Sequence, residues 1–159
     1  MLSDQERADI DTVIARYPSR QAASIDCLVS LQHSRGWLSD EALADLAPVL
    51  GLGVHELDAL ATFYNRLYRR PVGRHVITVC DSVTCWIMGG EGLFDALRDQ
   101  LGIGPGETTA DGRFTLLPTQ CLGGCDRAPV LAIDDEQHPD LAAEELDPDR
   151  LRMLLARYD

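Results

Sequence analysis

Apolar residues recur at helical spacing through the first seventy positions. Ile10, Val13 and Ile14 share a face, which predicts a first helix over residues 4–16. Ser19 is placed to cap a second helix, with Ala23, Leu28 and Leu31 inward and Gly36 at its end. Ser39, followed by Asp40 and Glu41, opens a third that stops near Gly51. A fourth runs from about Val54 towards Phe63, with Leu57, Leu60 and Ala61 on one side. Short loops between these stretches predict a compact helical bundle over residues 1–70.

The pattern changes at Pro71 and Gly73, which break the helical run. "HVITV" at 75–79 alternates as a β-branched strand and ends on Cys80. Leu93, Leu97 and Leu101 predict a helix from Gly90 to Leu101, closed by Gly102. A turn at Asp111-Gly112 leads to a strand over 113–118, and "PVLAI" at 129–133 is another. "DDEQH" can turn the chain back into a short strand near 138–141. Asp147 is placed to cap a last helix, with Pro148 in its first turn and Leu151, Leu154 and Leu155 inward. The order β-α-β, hairpin, α predicts an α/β sandwich of the thioredoxin-like kind over 71–159. The fold class is therefore α+β, a helical bundle followed by that domain.

Composition narrows the chemistry. The net charge of −12 makes nucleic acid or an anionic membrane surface a poor main partner. All fourteen basic side chains are arginine. Without lysine there is no Walker-type phosphate loop, no Schiff-base amine and no protein-kinase strand lysine. No secretory signal is visible and no stretch approaches 18 apolar residues, so the expected location is cytoplasmic, where thiols stay reduced. Metal binding then becomes a better use of paired cysteines than disulfides.

Four of the five cysteines fall in two pairs, "CDSVTC" at 80–85 and "CLGGC" at 121–125. A strand, crossover helix and parallel second strand would bring Cys80 and Cys121 to one edge of the sheet, where open α/β sheets place their sites. Gly123 and Gly124 allow a tight loop that brings backbone amides close to whatever is bound. Four thiolates suit Zn²⁺ or an iron–sulfur cluster. Gaps of four and three are wider than the usual zinc knuckle, but spacing alone leaves zinc and a two-iron core equally open. A thioredoxin-type dithiol is excluded, since no Cys-x-x-Cys exists. A Rieske centre is excluded too, because the nearest histidine, His75, precedes Cys80 by five residues and none flanks Cys121.

The segments "ATFYNRLYRRPVGRHVITVCDSVTC" and "TTADGRFTLLPTQCLGGCDRAPV" resemble the NuoE-type small subunit of bacterial NADH:quinone oxidoreductase. That family includes the gamma subunits of NAD-dependent formate dehydrogenases and hydrogenases, and the resemblance runs over essentially the whole chain. It implies that Cys80, Cys85, Cys121 and Cys125 ligate one [2Fe–2S] cluster. Gln120 stands where some enterobacterial relatives have an extra cysteine, which leaves the four-ligand count intact. The implied function is one-electron transfer with no catalytic residue of its own. FMN and NADH are implied only through a partner flavoprotein subunit, alongside further subunits of a peripheral arm lying against the inner membrane. "GIGPG" at 102–106 follows a helix and has the wrong spacing for a dinucleotide fingerprint. A structural zinc-binding interaction module is the contrasting reading.

Other candidates have plainer readings. Cys27, among Ile25, Leu28 and Leu31, reads as a buried apolar residue. Trp86, Ile87 and Met88 read as core packing, with a cover over the cysteine-held group or a partner contact as the alternative. Asp126 and Arg127 flank Cys125 as a surface pair or a partner contact. Arg66, Arg69, Arg70 and Arg74, with Tyr64 and Tyr68 interleaved, read as a subunit interface. His33, His55 and His138 lack ligand spacing.

Overall fold

The structure is a computed structural model that describes residues 1–141 and 148–158. The chain divides into two compact units, Met1–Pro71 and the part from Val72 onward. Among the described residues no single helix is long and apolar enough to cross a membrane.

The first unit packs four helices, α1 (Asp4–Ile14), α2 (Ser24–Arg35), α3 (Asp40–Leu50) and α4 (Val54–Phe63). Helix α1 is two residues shorter than its apolar pattern. Arg16 and Tyr17 bond to carbonyls three residues back, tightening the last turn before Pro18. Ser19 caps a 3₁₀ turn at Gln21–Ala23, accepting from the Ala22 amide at 3.2 Å, and α2 begins only after that turn. Ser39 caps α3 as expected, accepting from the Ala42 amide at 3.1 Å. Ile10, Leu28, Leu31, Leu43, Leu46 and Leu57 are fully buried between the helices.

One buried carboxylate ties this unit together. Ser3 and Glu6 form a reciprocal capping box at the start of α1. The same Glu6 accepts from Arg35 through two nitrogens (2.7 and 3.0 Å) and from the Ser34 hydroxyl (3.0 Å). Arg35 also reaches Asp45 on α3 at 3.1 Å, so three helices meet on one guanidinium. The Arg35 hydrogen bonds hold the Glu6 carboxyl well below the usual carboxylate range, against the opposing effect of burial.

The second unit is a four-stranded mixed sheet in the order β2-β1-β3-β4. The strands are β1 (His75–Cys80), β2 (Phe114–Thr119), β3 (Leu131–Ile133) and β4 (Glu136–His138). β1 and β2 are parallel, as the crossover predicts, and β3 runs antiparallel to both β1 and β4. The hairpin turn is only Asp134-Asp135, so the last strand starts at Glu136, earlier than the expected 138–141. Asp134 takes a left-handed conformation (φ 52°), which aspartate tolerates better than most residues. The crossover carries α5 (Val83–Ile87), unforeseen in the sequence, and α6 (Gly90–Leu101). Ile77, Val79, Leu116 and Ile133 bury against Leu93 and Leu97 of α6 and Leu151 and Leu155 of α7 (Pro148–Leu155). The expected cap at Asp147 lies outside the described residues.

Because the folded-state pKa of Glu6 is depressed, its stabilisation is complete above the unfolded value and fades as pH falls below it. Glu6→Gln should cost about 2 kcal/mol near neutral pH, less than for a fully buried ion pair because Arg35 keeps some solvent contact. Urea unfolding followed by helical circular dichroism checks this. The gap between wild type and variant should narrow at about pH 3.5; a gap that stays constant would contradict it.

Candidate metal centre

Strand pairing places the two cysteine pairs. Cys80 is the last residue of β1 and lies opposite Thr119 of β2. One residue on, the Asp81 amide still bonds the Thr119 carbonyl at 2.9 Å. Cys121 therefore sits two residues past the partner of Cys80, at the same sheet edge. Cys85 is turned inward by α5, whose helical turn accounts for the four-residue gap. Cys125 opens a 3₁₀ turn at Cys125–Arg127, reached through Gly123 in a left-handed conformation (φ 87°).

The pairs differ in environment. Cys80 and Cys85 are buried and packed on Val130, with Leu122 and Ala128 alongside. Cys121 and Cys125 are exposed, with their sulfurs 3.2 Å apart. One backbone amide bonds a site sulfur directly, Gly123 donating to Cys121 at 3.4 Å. The Leu122 side chain matters for placement, since it belongs to the second loop and packs against the buried pair of the first. Gln137 on β4 anchors that loop, donating to the Leu122 carbonyl at 2.7 Å.

These contacts shape the thiols. Burial works against the Cys80 thiolate, but the Ser82 amide, the Cys85 thiol and the Leu122 amide outweigh it and pull the pKa down. Burial pushes the Cys85 thiol up to about 11, helped by the hydrogen it shares with Cys80. The Cys121 thiol raises that of Cys125 in the same way. Each pair thus holds on to protons until a cation compensates the second negative charge.

Among the described residues, no three His, Cys, Asp or Glu side chains gather as a site for one ion. The donors are instead two thiol pairs bridged by a loop contact. Two such pairs could hold a binuclear iron–sulfur core, one pair for each iron, and their soft sulfurs suit such a group.

The family model for the thioredoxin-like [2Fe–2S] ferredoxins matches residues 10–158. The chain belongs to that family. Among curated members, the E subunit of NADH-quinone oxidoreductase from Pseudomonas aeruginosa is 47% identical over 158 residues, covering 99% of this chain and 92% of that one. Its counterpart from Escherichia coli K12 is 46% identical over 157 residues, with the same coverage. Among solved structures, the NAD⁺-reducing [NiFe]-hydrogenase in its air-oxidised state superposes with a TM-score of 0.66 at 32% identity. That match covers 82% of this chain but 22% of the hydrogenase chain.

Within this thioredoxin-like ferredoxin, several side chains stand elsewhere than their sequence context suggested. Trp86, Ile87 and Met88 are not core residues: they are 55%, 69% and 51% exposed, because α5 turns only Cys85 inward. Arg69 is engaged inside the helical unit, bonding Asp58 (2.8 Å), Asp40 and the Leu38 carbonyl, so it is not available to a partner. Arg127 pairs with Asp140 instead of its neighbour Asp126. Cys27 is fully buried in the helical core, where burial raises its thiol to about 11. His75 bonds Asp134 at 2.6 Å, at the end of β1 away from Cys80. His138 is a packing residue, half-buried and bonded to the Tyr158 hydroxyl at 2.8 Å.

Two positioning residues escaped the sequence reading, Gln137 and Gly90. A β-carbon on Gly90 would lie 2.8 Å from the Cys85 carbonyl oxygen and 3.0 Å from its carbon, so α6 begins as close to the cysteine loop as backbone allows. The Gly89-Gly90 pair after the first cysteines was the available signal. Gly90→Ala should cost about 1–3 kcal/mol through this overpacking and displace Cys85. Thermal melting and iron per chain check it; full iron content with an unchanged melt would contradict the close approach.

Proposed function

We propose that Cys80, Cys85, Cys121 and Cys125 hold one [2Fe–2S] cluster, the buried pair on one iron and the exposed pair on the other. The observation that supports this most is the β1–β2 register, which sets Cys80 opposite Thr119 and so carries two distant thiol pairs to one sheet edge in a member of a [2Fe–2S] family. Family membership also favours the cluster over a structural zinc. The chain is an electron-transfer subunit of NADH:quinone oxidoreductase, and its relatives of that name match it almost end to end.

When bound, a [2Fe–2S] cluster supplies reversible one-electron transfer. The protein's own contribution follows from the site. Four sulfurs would fill the protein-facing positions of both irons and leave none for a substrate. The Gly123 amide donates to the Cys121 sulfur and favours added negative charge, while the carboxylates of an acidic chain oppose it. Val130, Leu122 and Ala128 keep water from the Cys80–Cys85 side.

The partner in this reading is a flavoprotein subunit that carries FMN and the NADH site, within a larger assembly peripheral to the inner membrane. This chain takes electrons one at a time from that flavin. The hydrogenase likeness supports a second setting, an NAD-linked hydrogenase or formate dehydrogenase, at lower identity and over a small part of the hydrogenase chain.

Electron paramagnetic resonance on anaerobically purified protein, with iron and acid-labile sulfide counts, tests the ligand assignment. The wild type should be silent as oxidised, show a spin-one-half signal after dithionite, and hold two irons with two sulfides. Cys121→Ser should lose or strongly perturb that signal, whereas Cys27→Ser should keep it in full. Loss of the cluster in Cys27→Ser, or its unaltered retention in Cys121→Ser, would refute the assignment.

A further inference from the structure

The two thiol pairs differ in what can reach them. Cys80 and Cys85 are 3% and 1% exposed, and Cys27 is fully buried in the helical unit. Of the five cysteines, only Cys121 and Cys125 are exposed. Their sulfurs face each other across 3.2 Å. A disulfide bond is about 2.0 Å long, so joining them requires an approach of about 1 Å.

The loop that carries them is built for that approach. Gly123 takes a left-handed conformation (φ 87°) with open space around it, so the arc between the cysteines is unobstructed there. Gln137 holds the Leu122 carbonyl at 2.7 Å, and the Arg127 amide bonds the Gly124 carbonyl at 3.0 Å. These two bonds hold the backbone arc that keeps the sulfurs face to face.

We propose that Cys121 and Cys125, in chains that hold no iron, close to a reversible disulfide while Cys80 and Cys85 stay reduced, the oxidant being a low-molecular-weight disulfide. The proposal rests on the reading of these four cysteines as cluster ligands and adds to it a redox gate on loading of that site. The thiolate of one cysteine attacks a sulfur of the external disulfide, forming a mixed disulfide and releasing one small thiolate. The second cysteine attacks the protein sulfur of that mixed disulfide, which closes the Cys121–Cys125 bond and releases the other. Two electrons pass from the protein thiols to the external disulfide, and the two protons they give up end on the two small thiols. Burial denies an external disulfide the same access to Cys80 and Cys85. Closure leaves two of the four thiolates, too few for two irons. Exposed disulfides are the readily reduced kind, so a dithiol reopens the site.

The test starts from the cluster-loaded full chain. One portion is kept as purified and another is stripped of iron by a chelator without oxygen, and both then meet oxidised glutathione. Differential alkylation with peptide mass mapping should find the Cys121–Cys125 bond only in the stripped portion, with Cys27, Cys80 and Cys85 still thiols. Uptake of ferrous iron and sulfide, followed by the paramagnetic signal, should then be lost, and dithiothreitol should restore it. Cys125→Ser cannot close the ring and should instead retain one glutathione on Cys121. A Cys80–Cys85 bond, a scrambled mixture, a lasting glutathione adduct or no bond at all in the stripped wild type would overturn the proposal. The same bond in the loaded portion, or undiminished loading without dithiothreitol, would do so too. Loss of the circular dichroism spectrum on stripping would also overturn it, because the selectivity needs the folded arrangement. A purified chain without two irons would instead remove the ligand reading, and the gate with it, whichever bond the thiols form.

Discussion

The parallel pairing of β1 with β2 is the constraint on which the site depends. Its register sets Cys80 opposite Thr119, and the Asp81 amide extends the ladder by one bond before the chains part. A slip of one residue would shift the strands by about 3.3 Å and invert the faces of every side chain on one of them. Ile77 and Val79 would leave the core they share with Leu93 and Leu97, so the burial that stabilises the domain also fixes the register. Two thiol pairs separated by 35 residues become neighbours as a by-product of core packing.

Each loop is then held from outside. Gly90 lets α6 start against the Cys85 backbone, and Gln137 on β4 holds the Leu122 carbonyl from the opposite side. With its carbonyl anchored, Leu122 packs its side chain against the buried pair, and the second loop closes over the first. The resulting asymmetry is physical as well as geometric. One pair lies among apolar side chains, and the other stands in water.

Much of this was legible in the sequence, for reasons that can be stated. The four N-terminal helices follow apolar periodicity, and the central strands follow β-branched runs, because both signals reflect burial directly. The four cysteines announced themselves by spacing, and the surrounding segments carried the family resemblance. What escaped was set by contacts between distant residues. Helix α5 is a single turn, too short for periodicity to register, so Trp86, Ile87 and Met88 read as core when they face outward. Arg69 looked like part of a basic surface until Asp40 and Asp58 of other helices closed on it. Ser19 and Ser39 are equivalent as letters, and only the 3₁₀ turn after Ser19 separates their roles.

The central claim is that one pair of cysteines serves each of two metal ions at this sheet edge. Diffraction from crystals of the anaerobically purified protein, with anomalous data across the iron edge, tests it most directly. Two adjacent iron peaks are expected, one bonded by Cys80 and Cys85 and the other by Cys121 and Cys125. A single peak bonded by all four sulfurs, with its anomalous signal at the zinc edge, would contradict it.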